Sequence, residues 1–122
     1  MTDYITDIEK EITYIKPCEE DDSAIEEAGQ NAYMSGDYKT AELKFKELAL
    51  AQPDHHAGCE CLAMLYAKTG QAEKAVWFQE RALVIARKFL EDDSIDIEVI
   101  EEMEDNLGKI KNGLEIIPWW KI

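Results

Sequence analysis

The segment His55-His56-Ala57-Gly58-Cys59-Glu60-Cys61 holds the only cluster of residue types suited to binding a metal or attacking an electrophile. On a helix, His55 and Cys59 are four residues apart and share a face, and His56 and Cys59 are three apart. Cys61 points away from Cys59 by about 200°, at roughly 100° per residue. A structural zinc site needs four ligands, usually from two pieces of chain. Cys18 is the only other thiol. One reading is therefore a metal- or thiol-dependent enzyme using His55, His56, Cys59 and Cys61. The simpler reading puts the histidines at a helix start and makes the cysteines small buried hydrophobes. No Gly-rich phosphate loop, Gly-x-Ser-x-Gly or His-Glu-x-x-His accompanies the cluster. We therefore assign no catalytic residue, metal ligand or cofactor from sequence, and expect no enzyme.

The elements that carry these residues belong to a chain of 122 residues, long enough for one modest core. It has 27 acids against 13 bases, a net charge of −14. Such a chain repels nucleic acid and anionic membranes, and suits a basic or apolar protein partner. Most of the acids are read as solvated surface. The start, MTDYITDIEKE, lacks the basic and apolar runs of a signal peptide. No apolar run approaches the ~20 residues of a membrane span. With three cysteines, an odd count, the thiols are expected to be reduced and the location cytoplasmic.

Helical spacing runs through the chain and strand signals are weak. The pattern predicts an all-α fold with helices over residues 3–15, 23–35, 38–51, 55–69, 72–90 and 95–114. Ser23 followed by Glu26 has the form of a capping box. Three regions follow: 1–21, a helix and acidic linker; 22–93, the central helices; and 94–122, a capping helix and aromatic tail.

The central region contains one pattern twice. SGDYKTAELKF begins at Ser35 and TGQAEKAVWFQ begins at Thr69, so Gly36 aligns with Gly70 and Ala41 with Ala75. A helix–turn–helix unit needs glycine at a tight turn and small residues where its helices cross, since larger ones push the axes beyond the usual ~8–10 Å. Gly29 and Ala63 would serve on the first helices, Ala41 and Ala75 on the second. With its 34-residue period, the chain resembles the tetratricopeptide repeat family. Over residues 22–55 the match rests on Gly29, Gly36, Asp37, Tyr38, Ala41, Phe45 and Pro53. Over 56–89 it rests on Leu62, Tyr66, Gly70, Ala75, Ala82 and Leu83. There are departures. Ile25 and Cys59 stand where the family has tryptophan, and Leu48 where it has a late alanine. Arg87 replaces a terminating proline, so that helix runs on, similar to the longer repeats of kinesin-light-chain type. Asn106-Leu107-Gly108 resembles the start of a third unit. The resemblance implies antiparallel helix–turn–helix repeats in a short right-handed superhelix. The first and sixth helices would cover its ends.

The resemblance also implies a concave groove lined by the first helix of each unit. Its residues would be Ser23, Glu26, Gln30, Tyr33 and Met34 from one unit, and Ala57, Glu60, Met64, Ala67 and Lys68 from the next. If the sixth helix continues the groove, it adds Glu102, Asp105 and Lys109. Some family members clamp a chaperone's terminal carboxylate with lysines and asparagines. Glu26, Gln30 and Met34 occupy the matching places here, so that clamp is absent. The expected function is a non-catalytic adaptor or scaffold binding a peptide or helix of a basic or apolar partner in an acidic groove. The alternative is a small acidic chaperone for a secreted or self-assembling client. The plainer roles are helix packing for Tyr33 and Met64, and a solvated face for Glu26 and Glu60.

Glu91 to Asp105 contains nine acids and no base. Asp92, Asp93 and Asp96 suit a helix N-terminus. Glu101, Glu102, Glu104 and Asp105 go beyond that and offer a surface to a basic partner. Trp119 and Trp120, after Pro118, are expected to pack over the last helix. Their alternative is to anchor into a partner or a second copy of the chain.

Overall fold

Helix starts and stops are set locally. In α1 (Tyr4–Glu11) the Asp3 side chain accepts from the N–H groups of Ile5 and Thr6. Asp37 accepts from Thr40 N–H at the start of α3 (Tyr38–Ala51). These caps satisfy donors that the helix itself leaves open. The remaining helices are α2 (Ser23–Met34), α4 (Ala57–Lys68), α5 (Ala72–Glu91) and α6 (Ile97–Lys111). The computed structural model describes residues 3–15, 23–92, 95–114 and 116, without the side chain of Ser23. Among them there is no strand, so the chain is all-α. No described helix is long and apolar enough to cross a membrane. Cys18, Pro118, Trp119 and Trp120 lie outside the described residues, as does Asp93.

Three helices end in one way. Gly36, Gly70 and Gly113 have φ of +84°, +80° and +70°. In each case the next residue's N–H reaches a carbonyl five residues back: Asp37 to Ala32, Gln71 to Tyr66 and Leu114 to Lys109, at 2.8–2.9 Å. Glycine adopts this left-handed turn without the cost a Cβ would bring. It reverses the chain after α2, α4 and α6.

Each helix from α2 to α6 packs on the next in chain order. Phe45, Ala41, Leu62, Ala63, Ala75 and Ala82 are buried at these interfaces. A Cβ added to Gly29 would stand 2.5 Å from the Phe45 ring, so α2 and α3 meet where the sequence places their contact. A second close crossing was not foreseen. A Cβ on Gly58 would stand 2.7 Å from the Ala49 backbone, which brings α4 equally close to α3. Gln79 stands one period after Phe45. It is buried, and its side-chain nitrogen donates to the Met103 carbonyl at 2.9 Å, tying α5 to α6.

α1 differs from expectation in length and place. The predicted helix over 3–15 stops at Glu11, and Ile12 is extended (φ −119°, ψ 106°). The β-branched run Ile12-Thr13 favours that conformation. Instead of covering an end of the helix stack, α1 lies against α3 and reaches α5. Tyr4 meets Trp77 edge-on at 5.3 Å and stacks on Phe78 at 5.9 Å. Glu11 pairs with Lys46 at 2.9 Å, and the Tyr14 hydroxyl donates to the buried Glu47 carboxylate. The apolar strip formed by Trp77 and Phe78 explains this seat, since Tyr4 and Ile8 remove it from water.

Gly58→Ala is expected to lose about 1–3 kcal/mol in urea unfolding, because backbone rather than a flexible side chain must yield. Gly108→Ala, whose Cβ would meet nothing within 4 Å on α6, is expected to gain up to about 1 kcal/mol. Equal effects at the two sites would contradict the close crossing of α3 and α4.

Candidate functional groove

Glu26, Gln30 and Tyr33 recur at helical spacing along α2, and Glu60, Met64, Ala67 and Lys68 do so along α4. Part of the two stripes meets in one cleft. Glu26 and Glu60 both raise the Cys61 thiol, behind the larger effect of burial. Gln30 donates to Glu26 at 3.2 Å. Glu60 stands 3.0 Å from His56 Nδ1. Tyr33, Met64, Ala67 and Lys68 line a cleft of ≈ 240 Å³, and Glu26, Gln30 and Glu60 are not part of its lining.

The remaining expected residues fall out differently. Tyr33 and Met64 are 8% and 3% exposed, so they pack in the core as well as flooring the cleft. Ala57 is buried, while Met34 is exposed and outside the cleft lining. Glu102 and Asp105 are exposed on α6 and do not line the cleft. Asp105 instead pairs with Lys109 along its own helix at 3.2 Å. Glu104 pairs with Arg87 of α5. The cleft's other wall is Gly113, Leu114 and Ile116. Sequence reasoning missed this wall. The available signal was Gly113, which follows an amphipathic helix as Gly36 and Gly70 do.

The histidine–cysteine segment is engaged elsewhere. Helix α4 begins at Ala57 rather than at residue 55, and His55 Nδ1 accepts the Ala57 N–H at 3.1 Å. The two imidazoles stack with centroids 4.7 Å apart, and each lies near Phe89. Cys59 and Cys61 are buried. Among the described residues, no three of His, Cys, Asp or Glu stand together so as to hold a metal ion. A nucleophilic thiol needs exposure and a lowered pKa. Both thiols have the opposite environment.

Burial pushes the Cys59 thiol up to about 12 from an ordinary 9.0, with Arg81 pulling the other way. Cys61 is raised for the same first reason. The Tyr66 hydroxyl is raised by burial and then by its 2.7 Å hydrogen bond to Glu42. In each group the folded chain holds the proton more tightly than the unfolded chain. For Cys59, the contribution to stability is present below the unfolded value of 9.0 and lost as pH rises toward 12. The urea midpoint is therefore expected to fall above pH 9, and less so in Cys59→Ala/Cys61→Ala. A double variant with an unchanged pH profile would show that these thiols are not shielded. No family model, curated protein or solved structure matches this chain.

Proposed function

We infer that this chain is a non-catalytic protein-interaction module, built as a short tetratricopeptide-like superhelix flanked by α1 and α6. It works in the cytoplasm as an adaptor or scaffold and receives a basic, partly apolar segment of another protein between α2 and α4. The observation that carries this reading is the cleft that Tyr33 of α2 lines together with Met64, Ala67 and Lys68 of α4, on the two helices that carry the half-buried Glu26 and Glu60.

Two carboxylates half-buried on neighbouring helices act in a lower dielectric than exposed ones and attract a cation more strongly. The cleft on the same two helices adds apolar area to bury, which sets the register of a bound segment. The overall charge of −14 speeds encounter with a basic partner and disfavours nucleic acid. Raised thiol pKa values at Cys59 and Cys61 support the non-catalytic reading.

Charge reversal tests the two carboxylates. In affinity capture from a source lysate, Glu26→Lys/Glu60→Lys is expected to lose the partners held by the unmodified chain while still melting cooperatively. Rising salt should weaken the native capture in the same direction. Retention of every partner by the reversed variant would remove the acidic groove as a binding site.

A further inference from the structure

The cleft is not empty. Gly113 turns the chain back after α6, and the Leu114 N–H fixes that turn on the Lys109 carbonyl. Ile116 is then 7% exposed and joins the buried cluster that contains Tyr33 and Met64. Leu114 also lines the cleft but remains 58% exposed. Among the described residues, no backbone hydrogen bond ties Ile116 to α2 or α4. An aliphatic side chain from the chain itself is thus seated in the groove, held by apolar burial and one glycine turn. Volume is left beside it in the ≈ 240 Å³ cleft.

We propose that this cleft docks a short peptide segment bearing a branched aliphatic residue, and that Leu114 and Ile116 occupy it in cis until such a segment displaces them. The proposal rests on the groove reading above. The seat taken by Ile116 defines the aliphatic requirement. Cis occupancy lowers the apparent affinity for any such segment by the fraction of time the cleft is open. A segment joined through a short turn has a high effective concentration, so that fraction is small.

The test uses full-length chains and a fluorescent peptide, Lys-Asn-Gly-Leu-Glu-Ile-Ile, copied from residues 111–117. Its binding is read by anisotropy. Ile116→Asp is expected to bind it at least about tenfold more tightly than the unmodified chain. Adding Ala67→Arg, which fills the cleft, should abolish that binding. If Ile116→Asp does not melt cooperatively, Ile116→Ala replaces it, since it removes most of the aliphatic side chain from the cleft and adds no charge. Equal binding to unmodified and Ile116→Asp chains, lost with Ala67→Arg, overturns the cis occupancy and leaves the groove standing. Binding that survives Ala67→Arg, or no binding to any folded chain, overturns the aliphatic docking site. The charge reversal at Glu26 and Glu60 remains a separate test of the groove.

Discussion

The close approach of α3 to both its neighbours governs the rest of the structure. Gly29 lets α2 settle on the Phe45 ring, and Gly58 lets α4 settle on the Ala49 backbone. With α3 packed on both, Tyr33 of α2 and Met64 of α4 come to line one cleft. Helices held further apart would leave these residues as two unrelated surfaces. The groove is in this sense a product of missing side chains, since each crossing depends on an atom that glycine lacks.

Polar contacts finish what the small residues begin. The Tyr66 hydroxyl donates to Glu42 across α4 and α3, and Lys46 stands between Glu42 and Glu11. The buried Glu47 carboxylate takes Tyr14 on one side and Lys44 on the other. A buried carboxylate without such partners would be costly. These contacts fasten α1 and the segment after it to the side of α3, while Gln79 fastens α6 to α5. The cleft's outer wall, by contrast, is the short turn at Gly113.

Much of this was legible in the sequence because its causes are local. Helix α3 runs over the predicted residues 38–51, since Asp37 caps it and the residues before Pro53 end it. Gly36 and Gly70 stand at the turns expected of them, with positive φ. Tyr33 and Met64, both expected in the groove, line one cleft. What the sequence concealed depends on distant partners. The seat of α1 requires knowing that Trp77 and Phe78 leave an apolar strip beside α3. Gln79 breaks the pattern set by Phe45 in sequence, and only the position of the Met103 carbonyl explains it. Glu102 and Asp105 were placed in the groove by analogy, but they are exposed on α6 away from the cleft lining. The return of Ile116 to the cleft follows from a turn whose consequence is tertiary.

The central claim is that recognition takes place between α2 and α4. Amide NMR spectra of the full chain, titrated with a peptide carrying two lysines and an isoleucine, test it most directly. The account predicts saturable shifts along Glu26–Met34, Ala57–Lys68 and residues 113–116, with Tyr4, Lys46 and Trp77 unmoved. Shifts centred on α1 and the outer side of α5, or no saturable shift at all, would contradict it.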